Sequence, residues 1–176
     1  MVLGRVVVVL LRLLVPLMIP RFPLAGGILS MLLDGADVIL VDIISPDMGF
    51  GGSYAEIDKG LDTYYLAIEL LVALRWKSAY ARMPAIVLFV YRTIGVIAFE
   101  VTSERVLLFA FPNLFENWWL FCVAAAAFWP AVYPRSWRQV AAIGVILLIP
   151  KMGQEYLLHY AEAKPWEWAK QHLLNW

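Results

Sequence analysis

Two pairs of aspartates stand in apolar surroundings: Asp34 and Asp37 within "GGILSMLLDGADVILVDII", and Asp58 and Asp62 within "DKGLDTYYLAIE". On a helix, positions three, four, seven and eleven apart share a face. Ser30, Asp34 and Asp37 therefore share one face of the first stretch, with Asp42 off it. On the second, Asp58, Asp62, Tyr65 and Glu69 form a continuous polar stripe. A short connection joins the stretches, so they are expected to be antiparallel neighbours with the two stripes facing each other.

Acids placed this way can do two kinds of chemistry on their own account. Beside an arginine they form a structural ion-pair network. Without one they raise each other's pKa, and they bind protons or hard cations. A charge at the centre of a bilayer costs about 2.5–3.5 kcal/mol even on a lenient insertion scale, so such groups turn inward and find partners. Arg12 and Arg92 lie well inside apolar runs and are the candidate intramembrane ion-pair partners, together with Glu69 on the acidic stripe itself.

The elements that must position these residues follow from composition. Of 176 residues, 62% are hydrophobic, against about 45–50% in soluble domains. The mean hydropathy of +0.74 carries the same excess. A core of this length cannot hide so many apolar side chains, so lipid is expected to cover part of them. The formal net charge is zero, which gives no basic face for nucleic acid. The single cysteine, Cys122, sits in an apolar run and reads as packing.

A membrane helix needs about 20 mostly apolar residues. Six segments meet that need, near 4–20, 23–44, 58–76, 83–100, 104–133 and 138–163. The first imitates a signal peptide, but Arg12 interrupts it and no small-x-small site follows, so a retained segment is expected. Residues 45–57 read as a glycine-rich loop. Pro84 is expected in the first turn of the fourth segment, where proline is tolerated. Pro112 and Asn113 make the fifth either kinked or two pieces, and Pro150 bends the sixth. After Pro165 the tail "WEWAKQHLLNW" suits an interfacial helix. The whole reads as one all-α transmembrane domain, 1–176. Arg75, Lys77 and Arg82 in one short loop, and Arg135 and Arg138 in another, fall on the same side, which is expected to be cytoplasmic.

Two further stretches carry chemistry-bearing residues. Glu155, His159 and Glu162 share a helical face, and a carboxylate and imidazole at i, i+4 can contribute to a metal site, although an interfacial His–Glu pair is the plainer reading. "FEVTSERVLLFAFPNLFENWW" surrounds its Pro-Asn break with Glu100, Glu104, Arg105, Glu116 and Asn117. Broken helices at membrane depth are tolerated where protein or water covers them, so a functional half-helix is one reading, although a loop end followed by a proline kink is the plainer one. Trp118, Trp119, Trp129, Trp137, Trp166, Trp168 and Trp176 fit interfacial belts or partner contacts.

Asp34-x-x-Asp37 followed by Asp58-x-x-x-Asp62 resembles the CDP-alcohol phosphatidyltransferase family. Those six-helix membrane enzymes carry D-x-x-D-G-x-x-A-R and then G-x-x-x-D-x-x-x-D across their second and third helices. The resemblance implies Mg or Mn held by Asp34, Asp37, Asp58 and Asp62, with Asp62 as the catalytic base. It is confined to the acids. Val38 and Tyr54 stand at the motif's glycines, Val41 and Asp42 replace Ala-Arg, and the gap is three residues longer. The expectation is therefore an integral membrane accessory or assembly subunit of a larger complex in a bacterial cytoplasmic (inner) membrane. Its partners would be the bilayer and other membrane subunits. A phosphatidyltransferase-like enzyme and a cation or proton pathway are the alternatives.

Overall fold

The computed structural model describes residues 3–44, 52–104 and 106–157, with Trp168 and His172. For 3–5, 38, 41–44 and 52–58 it describes the backbone alone. Helices are the regular elements of those residues, with no strand among them. The helices are α1 (Leu3–Leu14), α2 (Pro23–Ile44), α3 (Gly52–Ala73), α4 (Ala79–Thr102), α5 (Val106–Ala110), α6 (Leu114–Phe128) and α7 (Trp137–Glu155). The chain divides into two compact units, 1–72 and 73–176.

In the first unit, α1 gives way to a 3-10 turn, Val15–Met18, at Pro16, whose ring cannot continue an α-helix. The chain then reverses, and Pro23 opens α2 at the first helical position, where its fixed φ suits a start. α2 lies back on α1 and on the turn. Gly26 makes that return possible, because a Cβ there would stand 2.7 Å from the backbone nitrogen of Ile19. Small residues at the crossing let the two backbones close together. α3 begins at Gly52, inside the stretch expected to be loop. It buries Leu61, Tyr65, Leu66, Ile68 and Glu69. The Tyr64 hydroxyl donates to the Leu13 carbonyl at 3.1 Å, tying α3 to the end of α1.

In the second unit, α4 packs on α5, α6 and α7, and α6 packs on α7. The core is α6: Phe115, Trp118, Trp119, Cys122 and Ala125 recur at helical spacing and are almost fully enclosed. Small residues of α4, Ala81 and Ala85, face them, and the Trp118 indole donates to the Ala81 carbonyl at 3.0 Å. Phe89 meets Phe115 edge to face at 5.4 Å. Trp118 and Trp119 are thus core residues, which corrects the interfacial reading. Trp129, Trp137 and Trp168 are exposed, whereas Trp166 and Trp176 lie outside the described residues.

Three boundaries differ from expectation. α4 starts at Ala79, so Pro84 sits inside the helix rather than in its first turn. α4 ends at Ser103 in the left-handed conformation (φ 60°), with its N–H on the Phe99 carbonyl at 2.7 Å. The fifth segment is in two pieces, α5 and α6, one of the two expected outcomes, but it stops at Phe128 rather than near 133. The region after Leu157 lies outside the described residues apart from Trp168 and His172, where the two rings stack at 5.0 Å.

Among the described residues two stretches, Ala79–Thr102 and Val106–Phe128, are long and apolar enough to cross a membrane. Twenty-four residues of α4 span about 36 Å at 1.5 Å per residue, more than the roughly 30 Å hydrocarbon core of a bilayer. Met83, Val87, Val90, Ile94, Ile97 and Val101 recur at steps of four and three along α4, and all are exposed. About five turns of helix thus present one uncharged face that α5, α6 and α7 leave bare.

Candidate functional site

Arg12 is nearly solvent-free, at 3% exposure. It stands in the last turn of α1, just before Pro16 ends the helix. α2 returns along α1, which carries the face bearing Ser30, Asp34 and Asp37 to the guanidinium. One guanidinium nitrogen donates to Asp37 at 2.8 Å. Another is bonded to both Asp34 and Asp62. Acids from two helices thus meet on one cation contributed by a third.

The environment is graded. The Asp37 side chain is only 7% exposed, whereas those of Asp34 and Asp62 are 30% and 35% exposed. Ser30, one turn from Asp34 on the same face, is buried, and its hydroxyl has no hydrogen-bond partner among the described residues. Glu69, two turns beyond Asp62 on α3, is fully buried. The side chains of Asp42 and Asp58 lie outside the described residues.

Arg92 bonds elsewhere. It lies in the second unit and donates to the Phe111 carbonyl at 2.9 Å, so its partner is a backbone group and not a carboxylate. Sequence alone treats Arg12 and Arg92 alike, since each is a cation in an apolar run. They differ in what packs against them.

The fit to a divalent metal is poor. Ligation needs acid oxygens turned toward a common point, but here that point holds the Arg12 guanidinium, which fixes them through hydrogen bonds. Among the described residues no group of three His, Cys, Asp or Glu side chains is disposed to hold a metal ion. The arrangement does supply a directional ion-pair node. A guanidinium presents five donors in one plane and can engage several carboxylates at once.

A second polar centre surrounds the break between α5 and α6. Glu155 is buried near the end of α7 and accepts from Lys151 at 3.1 Å and from the Asn113 backbone N–H at 3.2 Å. The Asn113 amide donates to Glu116 at 3.2 Å. Glu155 is thereby an ion-pair and capping residue. His159 and Glu162, its expected metal-site companions, lie outside the described residues. The Lys151–Glu155 pair is spaced i, i+4, so the sequence itself carries a signal for it.

Comparison with protein-family models, with curated proteins and with solved structures finds no match to this chain.

Proposed function

We propose that this chain is a multi-pass integral membrane protein, an all-α bundle of about six spans, acting as a non-catalytic assembly subunit of a larger membrane complex. One observation carries the reading: the Arg12 guanidinium stands where Asp34, Asp37 and Asp62 converge. Acids tied to a buried arginine hold helices in register, and breaking such a pair is strongly destabilising. The uncharged outer face of α4 supports the membrane setting. The proposed orientation puts Arg75–Arg82 and Arg135–Arg138 in the cytoplasm of a bacterial cell and residues 45–57 outside its inner membrane.

The test pairs two measurements on the wild type and on Asp62→Asn. One is phosphatidyl transfer from a CDP-lipid with magnesium or manganese. The other is recovery of the assembled protein in mild detergent. The assembly reading expects no transfer from either chain and a lower yield of the variant. Metal-dependent transfer by the wild type, abolished in a well-recovered Asp62→Asn, would overturn it and establish the phosphatidyltransferase-like alternative.

A further inference from the structure

The apolar run from Val106 to Phe128 is long enough to span a membrane, yet its backbone is interrupted at Phe111–Asn113. Pro112 has no N–H to give. The Leu114 N–H turns to the Pro112 carbonyl at 2.8 Å instead of reaching back a full helical turn. Carbonyls and N–H groups released this way are costly in a membrane unless something satisfies them.

Neighbouring helices do so from both sides. On α4, Tyr91 donates to the Ala110 carbonyl at 2.7 Å and Arg92 to the Phe111 carbonyl at 2.9 Å. On the other side, Glu155 accepts the Asn113 N–H. The signs match the helix ends: a cation at the C-terminal end of α5, and carboxylates at the N-terminal end of α6. The charges at the break are therefore already matched, and neither an anion nor a cation is favoured there.

The arrangement has the parts of a joint. Phe111 is seated against α4, where Gly95 leaves room for it: a Cβ on Gly95 would lie 2.1 Å from the Phe111 Cβ. α5 has no buried residue of its own. The last described turns of α7 touch both sides of the break. Glu155 holds Asn113, and Tyr156 meets Phe109 of α5 edge to face at 6.2 Å. Pro150 lies just before that segment and removes one helical hydrogen bond from α7.

We propose that the α5–α6 break is a hinge latched by the end of α7: α5 swings about Pro112–Asn113 relative to α6, and α7 holds it closed by bridging the break, Glu155 fixing the α6 side at Asn113 and Tyr156 the α5 side at Phe109. This stands whatever role the Arg12 cluster plays, because it concerns the second unit alone. The test uses the full chain in lipid nanodiscs with Cys122→Ala. Spin labels are placed at Val106→Cys on α5 and Phe128→Cys on α6, both exposed positions. With Glu155 present, one narrow distance distribution is expected. Glu155→Ala is expected to widen it at least twofold or to add a second population. A distribution as narrow as that of the parent would overturn the hinge. Hydrogen exchange on the unaltered chain decides independently of any variant's folding. Amides of 107–114 are expected to exchange at least tenfold faster than those of 117–125. Equal protection would overturn the proposal.

Discussion

Arg12 and Asp37 meet at 2.8 Å with both side chains almost excluded from solvent. Asp34 and Asp62 bond to the same guanidinium from positions about one-third exposed. This gradient gives the three acids unequal weight.

Replacing each acid by its amide keeps the shape and removes the charge. Breaking a truly buried pair costs about 3–5 kcal/mol, so Asp37→Asn is expected to approach the lower end of that range. Asp34→Asn and Asp62→Asn are each expected to cost less than half as much, because about a third of each side chain stays exposed. Denaturant titration in detergent micelles gives the order. Equal losses at all three positions would show that burial does not grade the cluster.

Gly95 and Gly144 make a matched contrast, both within helices. A methyl group on Gly95 collides with the Cβ of Phe111, which is fixed to the backbone and cannot swing aside. Gly95→Ala is expected to destabilise by about 1–3 kcal/mol, the usual cost of overpacking. Nothing lies within 4 Å of a Cβ on Gly144. Gly144→Ala is therefore expected to stabilise by about 0.5–1 kcal/mol through helix propensity. Opposite shifts in the unfolding midpoint are the outcome to look for.

Ser136 starts α7, its hydroxyl accepting the Gln139 N–H at 3.3 Å. Gln139 in return accepts the Arg135 N–H at 2.8 Å. Ser136→Ala is expected to cost about 1 kcal/mol, whereas Ser136→Asp retains an acceptor at the positive helix end and should be nearly neutral. Unfolding of the two variants side by side checks this. A loss as large in Ser136→Asp as in Ser136→Ala would remove the cap from the account.

The outer stripe of α4 predicts a sharp periodicity in lipid. Spin labels at Val87, Val90 and Ile94 should be reached by oxygen and shielded from a water-soluble nickel reagent. A label at Ala85, which is buried, should be shielded from both. High nickel access along the stripe would place that face in water and count against the membrane reading.

Much of this was written in local sequence. The acids declare their common face by spacing alone: Asp34 and Asp37 are three apart, and Asp62 and Glu69 seven apart. Pro112 inside an apolar run announces a break, because proline lacks an N–H wherever it stands. The all-helical class follows from long apolar runs, since a helix satisfies its own backbone.

Other features depended on residues far apart in the chain. Which arginine meets the acids was undecidable from sequence, because Arg12 and Arg92 are equivalent until α2 folds back on α1. Trp118 and Trp119 look like any other tryptophans near a helix end, and only the packing of α6 against α4 makes them core. The side chains that sustain the break, Tyr91, Arg92 and Glu155, lie about 20 residues before it and 42 residues after it. Spacing along one helix fixes which residues share a face. What that face meets is set by where distant helices come to rest, and in this chain the tertiary structure alone decided it.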